Sequence, residues 1–381
     1  MAKSLISPTK MLSSNNVKIN NLKNSGGKKR KVPNLIFYDS TLKCLDETIH
    51  KYISNYLTHL QVDKVHILNT RSSQDISRKS TKNCSAIINI RKINDYRSIN
   101  NFFEETNKKL ELGGLFINNF ETHETRKARI LKNVPKPLKF IYYATDFTFH
   151  RILPKVKLTK RFYYRKTKGY GRVLTKSEIL GRLYSSGFEL INDKKIGGKL
   201  FIVAKKVKAP SYDTNPTYGP LIYLKRVGKG GEIIKVAKIR TMHPYAEYLQ
   251  QYVFNKNNLK EGGKIHNDFR ISKLGKIFRK YWIDEIPMLF NLVKGEMKLI
   301  GVRPLSKHYF DLYPNTLQSK RTLFKPGLLP PFYADMPKTL NEIADSEMRY
   351  LMAYEKEPLL TDVKYFIKII ENIIWKGKRS A

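Results

Sequence analysis

Cysteines are few in this 381-residue sequence, and long apolar runs are missing from it. Cys44 and Cys84 have no CxxC spacing and no neighbouring histidine, which excludes a disulfide framework and a cysteine-based zinc site. We expect two reduced, buried thiols, as in a cytoplasmic protein. No apolar run reaches 18 residues, so no transmembrane helix is predicted. The N-terminus also lacks the basic-then-apolar order of a signal peptide.

Acidic residues are also few: 32 Asp and Glu stand against 72 Lys and Arg, for a net charge of +40. Such a charge favours polyanions, which include nucleic acid, anionic lipid surfaces and phosphorylated substrates. A sequence rich in Lys, Asn and Ile is typical of an A/T-rich genome, and that bias explains part of the excess. Because no nucleic-acid-binding motif is present, we expect no specific nucleic-acid partner.

The sequence divides into four predicted segments. Residues 1–31 are polar and end in a basic run, the pattern of a disordered basic arm. Residues 32–207 alternate strand-like and helix-like patterns and form a first domain. Residues 208–217 contain Pro210 and Pro216, which indicate a linker. Residues 218–381 form a second domain, and the total length suits two domains of ordinary size.

The first domain has an α/β order of elements. The patterns predict short buried strands, a helix over about 98–110 that stops at glycine, another strand, a helix from Ser177 and a final hairpin. The strands are at Val65–Leu68 and Ala86–Ile90, and the hairpin turns at Gly197–Gly198. From about Asp63 to Lys206, with "LELGGLFI" and "SSGFELI", this order resembles the second half of class I methyltransferases. The resemblance implies a Rossmann-like fold.

The turn after the first strand departs from that resemblance. Methyltransferase-like folds need glycines there so that backbone amides can approach the cofactor. Here the segment from Leu68 to Ser73 contains none. We therefore predict a degenerate, non-methylating domain with a scaffold or docking role.

In the second domain, "GPLIYLKRVGKGGEIIKVAKIRTM" predicts two strands joined by a glycine-rich turn. Lys238 and Arg240 lie two residues apart, so they point to the same face of an extended strand. Two cations on one face suit a diphosphate. For this motif alone, an exposed edge strand with solvated charges is the favoured explanation.

The next motif places two acids at the start of a helix. Residues 267–282 predict a helix with one apolar face, formed by positions 271, 274, 277, 278 and 281. Asp284 and Glu285 then begin a second helix, with Pro287 in its first turn. The helix dipole favours ionised acids at that end, although a plain N-cap pair is the alternative. Arg303 follows a turn and a strand, a good position for a phosphate clamp.

Together these motifs resemble the bacterial sugar transferases, the phosphoglycosyl transferases that move a hexose 1-phosphate to a polyprenyl phosphate. The similarity extends from the glycine-rich hairpin through "NDFRISKLGKIFRKYWIDEIPMLFNLVKGEMKLIGVRP" to the helix after Leu360, over most of residues 218–378. The resemblance implies an α+β sugar transferase domain that follows the α/β domain. The long apolar helix that usually enters this domain is missing, so the chain lacks the usual membrane helix.

The resemblance also implies a two-step exchange. Asp284 would attack a nucleotide sugar, with UDP as the expected nucleotide, and Glu285 would bind Mg²⁺. Phosphate oxygens would be bound by Lys238, Arg240, Arg270 and Arg303, with Asp268 and Glu296 in support. For Asp268 a helix N-cap is the alternative. The partners would be a nucleotide sugar and a polyprenyl phosphate, in exopolysaccharide or O-antigen type synthesis.

Two further departures bear on the acceptor and on membrane attachment. Val302 replaces the first proline of the family's "PRP", and the loop over Lys325–Tyr333 keeps only Pro326–Gly327. We expect a cytoplasmic protein bound peripherally at the inner face of the cell membrane. The helix over about 361–375 is either an interfacial helix at anionic lipid or a core-packing terminal helix. The alternative function is a non-catalytic adaptor of glycan assembly with both domains degenerate.

Overall fold

The structure is a computed structural model that describes residues 46–78, 83–212, 219–256 and 268–374. The predicted basic arm, Cys44, residues 213–217 of the predicted linker and the last seven residues of the chain lie outside these ranges. Cys84 is buried, as predicted.

A five-stranded mixed sheet forms the centre of the N-terminal half, in the order β1-β2-β3-β5-β4. β1, β2 and β3 are parallel, and β5 runs antiparallel to both β3 and β4. The strands are β1 (Val65–Leu68), β2 (Cys84–Lys92), β3 (Leu110–Phe120), β4 (Phe188–Ile196) and β5 (Lys199–Lys206). The predicted α/β class and the final hairpin are confirmed.

Helices cover both faces of this sheet, since separate hydrophobic clusters form on each side of it. One cluster contains Phe102, Phe103 and Phe116, and the other contains Ile53 and Ile88. The helices are α1 (Glu47–Ser54), α2 (Ser73–Ser77), α3 (Ile99–Lys109), α4 (His123–Asn133), α5 (Lys139–Phe147), α6 (Lys157–Thr167) and α7 (Lys176–Ser185).

The prediction that glycine stops α3 is wrong. The helix ends at Lys109, and Leu110 is already extended, with φ −80° and ψ 144°. Gly113 lies inside β3 with a φ of +85°. The glycine pair therefore shapes an irregularity of the strand rather than the end of the helix.

The C-terminal half contains two small sheets among short helices. β6 (Leu221–Val227) pairs antiparallel with β7 (Ile233–Ile239), as the glycine-rich turn predicted. β8 (Lys298–Ile300) pairs parallel with β9 (Gly327–Leu329). The helices are α8 (Gln250–Lys256), α9 (Lys273–Lys280), α10 (Leu289–Val293), α11 (Lys307–Phe310), α12 (Asn315–Leu323), α13 (Phe332–Asp335), α14 (Leu340–Lys356) and α15 (Pro358–Ile374).

One segment of the C-terminal half packs into the core of the N-terminal half. Leu249 and Val253 are fully buried in the same cluster as Phe102. The backbone of Gly181 in α7 touches Tyr245 so closely that a Cβ at this position would overlap the Tyr245 carbonyl. The predicted domain boundaries stay predictions, and the two halves share a hydrophobic core.

The long terminal helices complete a second core. Tyr350 and Leu351 of α14 and Ile369 of α15 are buried together. The opposite face of α15 leaves Val363, Phe366 and Ile367 exposed. One face of α15 therefore packs into the core. The predicted alternative, an interfacial helix at anionic lipid, applies only to the exposed face. Within the described ranges, no helix is long and apolar enough to span a bilayer.

Candidate active site

Asp284 and Glu285 lie in a single 3-10 turn, Ile283–Met288, that runs directly into α10. The sequence predicted the start of a second helix at this point. The turn starts from Trp282, whose backbone is left-handed with a φ of +53°. The Trp282 indole packs edge-on against the Tyr333 ring, with 5.7 Å between centroids, and this contact holds the residue in place. Both acids lie in the first turn, and neither is its N-cap, so the N-cap alternative is wrong.

Lys238 of β7 reaches this turn from the neighbouring sheet. Its Nζ donates a hydrogen bond to Oε1 of Glu285 at 2.6 Å. Both side chains are mostly buried, at 15% and 17% exposure. The ion pair is therefore shielded from water far more than a surface salt bridge is, which strengthens its electrostatic attraction.

Asn291 of α10 connects β7 through hydrogen bonds to the helix that follows the 3-10 turn. Its Oδ1 accepts from the amide of Ala237 at 3.0 Å, and its Nδ2 donates to the carbonyl of Lys235 at 2.9 Å. Nδ2 also donates to Oε2 of Glu296 at 2.6 Å. Glu296 therefore acts on the site indirectly, because it orients the amide that fixes the strand carrying Lys238. Sequence reasoning missed Asn291, whose only signal was its position between the two acidic motifs.

Arg303 approaches the same carboxylate from a third element. Its NH2 group lies 3.6 Å from Oε1 of Glu285, and its side chain is 46% exposed. The backbone before Arg303 is fixed because Gly301 and Gly327 touch, leaving no space for a Cβ on either residue. The buried Arg321, paired with Glu347, donates to the Arg303 carbonyl at 2.5 Å. The retained Pro326–Gly327 thus helps to position the backbone that leads to Arg303.

Two more arginines that sequence reasoning did not single out lie near members of the site. Arg279 of α9 donates from Nε to Oγ1 of Thr241 at 2.9 Å and interacts electrostatically with Asp284. Arg226 of β6 is close enough to Arg303 for that positive charge to lower the pKa of the Arg226 guanidinium, after the larger effect of burial. Both were embedded in basic runs, which gave no signal that separated them from solvated charges.

Burial and like charge raise the pKa of Asp284 above its ordinary value. Desolvation is the larger cause, the charge of Glu285 adds to it, and Lys238 and Arg279 oppose it. Burial lowers the pKa of Lys238, while Glu285 raises it. Three cations, Lys238, Arg279 and Arg303, thus lie near the two carboxylates, and Arg226 lies close to Arg303. This excess of positive charge suits a diphosphate between them.

Three predicted residues are bound by partners other than Asp284 and Glu285. Arg270 and Asp268 form a buried pair, with Nε–Oδ1 at 2.9 Å and NH2–Oδ2 at 2.7 Å, and Arg270 also donates to Gln250. Ser272 caps α9, so the N-cap alternative for Asp268 is wrong. Arg240 donates from Nε to the Gly219 carbonyl, and the acids that act on its pKa are Glu247 and Glu178.

The two adjacent acids are the donors that a divalent cation could use. Among the described residues, no group of three or more His, Cys, Asp or Glu side chains could hold a metal. Mg²⁺ is often bound by one or two carboxylates, with substrate phosphates and water completing its shell. Asp284 and Glu285 fit a site of that kind, in which substrate and water supply the other ligands. They do not form a site in which the protein supplies every ligand.

An apolar surface borders the acids, and we name it the α9–α10 surface. Ile286, Leu289 and Phe290 are exposed immediately after Glu285. Leu274, Ile277 and Tyr281 of the predicted apolar face of α9 are exposed as well. The charged site and an exposed apolar area thus adjoin each other.

Comparison with known proteins finds matches to the C-terminal part of the chain. Residues 210–376 match the family described as bacterial sugar transferase. The chain is 38% identical over 112 residues to the galactosyl transferase CpsE of Streptococcus agalactiae serotype III (strain NEM316), covering 29% of this chain and 25% of that protein. It is 32% identical over 115 residues to the UDP-N-acetylgalactosamine-undecaprenyl-phosphate N-acetylgalactosaminephosphotransferase of Aeromonas hydrophila, covering 29% and 24%. The chain spans about a quarter of the length of these relatives.

Comparison with solved structures finds a SAM-dependent methyltransferase from Thermotoga maritima, with 12% identity and a TM-score of 0.20, over 34% of this chain and 60% of that one. An overlap of that size does not define a fold, so the methyltransferase resemblance of the N-terminal half stays a prediction. The C-terminal match is of another kind, because the family and both relatives point to the same class of transferase. The sequence of residues 210–376 is therefore similar to that of the bacterial sugar transferases.

Proposed function

We propose that this protein transfers a sugar 1-phosphate from a nucleotide sugar, with UDP as the nucleotide, to a polyprenyl phosphate. The observation that carries the proposal is the position of Lys238 and Arg303 around Glu285, directly beside Asp284. Four separate elements bring these charges together: the 3-10 turn, β7, α9 and the loop after β8. The names of the relatives, a galactosyl transferase and an undecaprenyl-phosphate phosphotransferase, support the same reaction class.

In the first step, a carboxylate oxygen of Asp284 attacks the phosphorus that carries the sugar. A new oxygen–phosphorus bond forms, the bond to the bridging oxygen breaks, and UMP leaves with the electron pair. In the second step, a phosphate oxygen of the polyprenyl acceptor attacks the same phosphorus and releases the Asp284 carboxylate. A covalent intermediate of this kind divides one difficult displacement into two easier ones.

The cations stabilise the charge that gathers at the diphosphate during each step. Of Lys238, Arg279 and Arg303, only Arg303 is exposed, so its side chain is free to follow the phosphate oxygens as they move. Lys238 holds the Glu285 carboxylate in the site through its hydrogen bond to Oε1. Glu285 and Asp284 would hold Mg²⁺, which would neutralise part of the diphosphate charge when bound.

The α9–α10 surface supports a lipid-linked acceptor. The exposed side chains of Ile286, Leu289 and Phe290 start one residue after Glu285. A polyprenyl phosphate carries its reacting phosphate on a long apolar chain, so its binding site needs an apolar area next to a cationic one. The arrangement of the acids, cations and exposed apolar side chains meets that requirement.

The test is a UMP-release screen of the full chain against a panel of UDP-sugars with Mg²⁺, with and without undecaprenyl phosphate. We expect turnover with at least one UDP-sugar that depends on the acceptor. Asp284→Asn should abolish it, and Lys225→Met is the control, because Lys225 is an exposed cation on the neighbouring strand.

The non-catalytic adaptor is the second candidate, favoured by the altered loop over residues 325–333. The two candidates differ in one outcome of the screen. An adaptor releases no UMP with any UDP-sugar, whereas a transferase with an unusual acceptor releases some UMP in a single turnover.

A further inference from the structure

α5 and α6 of the N-terminal half expose many apolar side chains to solvent. None of the residues in α5 is buried. Phe140 and Ile141 are 63% and 64% exposed, and Leu158 and Phe162 of α6 are 89% and 60% exposed. We call these four residues, with the exposed cations of α6, the α5–α6 surface.

The inner faces of both helices are held by specific contacts, so the exposure does not result from poor packing. In α5, Asp146 accepts two hydrogen bonds from Arg126 at 2.6 and 2.8 Å, and Tyr143 bonds to His123. In α6, Tyr163 is fully buried, and its ring packs against Phe149 at 5.5 Å. Each helix is thus fixed with its apolar outer side chains directed away from the protein.

The same surface is strongly basic. Residues 135–170 contain ten Lys and Arg, of which Arg151 and Lys155 pair with the buried Glu178, and a single acid, Asp146, which pairs with Arg126. Four cations of α6, Lys160, Arg161, Arg165 and Lys166, are exposed. Within the described part of the chain, none of these four forms a salt bridge. In α6, Leu158 and Phe162 are one helical turn apart, with Arg161, Arg165 and Lys166 beside them.

We propose that the α5–α6 surface binds the anionic surface of a lipid bilayer. Basic side chains mixed with exposed Leu, Ile and Phe on helices that lie flat are the combination that interfacial membrane binding requires. A shallow groove of about 670 Å³ beside α5, lined by Tyr142, Phe149 and Leu153 among others, offers further apolar contact. The proposal extends the proposed function, on which it rests, because a polyprenyl phosphate lies in a membrane.

Charge complementarity selects this occupant over the others. The first 31 residues of the chain contain Lys and Arg but no acid, so this arm would be repelled by the surface. A second copy of a chain of net charge +40 would be repelled as well. Nucleic acid matches the charge, but it leaves aliphatic side chains such as Leu158 and Ile141 without a partner, whereas a bilayer buries them.

The test is flotation of the full chain with vesicles of pure phosphatidylcholine and with vesicles containing about a third phosphatidylglycerol, without nucleotide sugar. We expect binding to the anionic vesicles that weakens with salt. Phe140→Ser with Ile141→Ser, and separately Leu158→Ser with Phe162→Ser, should each weaken it at least about ten-fold. The matched control is Val62→Ser with Leu112→Ser, two exposed apolar residues outside the surface.

Charge variants provide an independent measurement. Lys160→Glu with Arg161→Glu and Arg165→Glu should abolish binding to anionic vesicles, while glutamates at the exposed Lys195, Lys205 and Lys208 should reduce it much less. Unaltered binding by the α5–α6 variants would overturn the proposal. Equal binding to neutral vesicles, or binding to single-stranded RNA without binding to vesicles, would overturn it too.

The membrane test is separable from the test of function. UMP release with detergent-solubilised undecaprenyl phosphate needs no bilayer, so the α5–α6 variants should keep it. A chain that floats but releases no UMP refutes the proposed function and leaves the membrane inference standing. A chain that releases UMP but never floats refutes the membrane inference alone.

Discussion

Nζ of Lys238 lies 2.6 Å from Oε1 of Glu285, and Arg303 approaches the same oxygen at 3.6 Å. One carboxylate oxygen thus joins a buried cation on a strand to an exposed cation on a loop. Because Asp284 is the adjacent residue, this contact sets the electrostatic environment of the proposed nucleophile.

The two cations should differ in their effect on stability. Lys238→Met leaves Glu285 mostly buried, with Arg303 as its one remaining ion-pair partner among the described residues, so we expect the free energy of unfolding to fall by about 1–3 kcal/mol. Arg303→Met should change it by less than about 1 kcal/mol, because that side chain is 46% exposed. Both should reduce UMP release. Urea unfolding of both variants, with Lys225→Met as the control, measures this difference in stability. An equal loss of stability in the two variants would contradict the burial assigned to Lys238 and Arg303.

The pKa of Asp284 should appear in the pH dependence of single-turnover UMP release. Asp284 must be ionised to attack, so the rate should fall as the pH drops through its raised pKa. The negative charge of Glu285 is one cause of that elevation. Glu285→Gln removes it, so the midpoint of the acid limb should move to lower pH, whatever the loss of rate. A midpoint that stays in place or rises would rule out electrostatic coupling of the two acids.

Asn291 should be a positioning residue for Lys238. Asn291→Ala leaves the buried Ala237 amide without its partner, at a cost of about 1–3 kcal/mol, and it also removes the hydrogen bond to the partly buried Lys235 carbonyl. We expect lower stability and a reduced rate of UMP release per folded molecule. Near-ultraviolet circular dichroism and turnover, measured on the same sample, separate the two effects. Normal turnover by the folded fraction would show that β7 keeps its place without Asn291.

Arg270 should be needed for folding and not for chemistry. Its guanidinium is bound by the buried Asp268, so Arg270→Met leaves an uncompensated buried carboxylate and should cost about 3–5 kcal/mol. The folded fraction should keep its KM for the nucleotide sugar. A raised KM with unchanged stability would restore the phosphate-binding role that the sequence predicted.

Local sequence patterns were enough to predict most strands and both hairpins. Apolar runs identified β1 and β2, and the glycine pairs identified the turns before β5 and β7. Adjacent acids with a following proline identified the turn that carries Asp284, although its 3-10 geometry was not predicted. These features depend on residues close together in the sequence.

Features that depend on distant residues were not predictable from one sequence. Arg270 and Lys238 both lie in basic motifs that suggest exposed side chains. In the structure, Arg270 is bound by the buried Asp268, whereas Lys238 contacts Glu285 in the candidate active site. The packing of Tyr245 and Leu249 onto the N-terminal half needs a contact with Gly181 across more than sixty residues. Only the folded chain distinguishes these roles.

The most direct measurement is the intact mass of the protein after mixing with the UDP-sugar that gives turnover, without acceptor, followed by peptide mapping. Because an acyl phosphate forms only on an ionised carboxylate, we predict a phosphosugar adduct on the peptide containing Asp284 and release of UMP in equal amount. The adduct should disappear when undecaprenyl phosphate is added. Asp284→Asn should form no adduct. Its melting temperature at pH 7.5 should nevertheless equal or exceed that of the unaltered protein. An acid whose pKa is raised by folding lowers the stability of the folded state at any pH above that pKa, and the substitution removes this cost. Turnover without any adduct, or an adduct on another residue, would contradict the account.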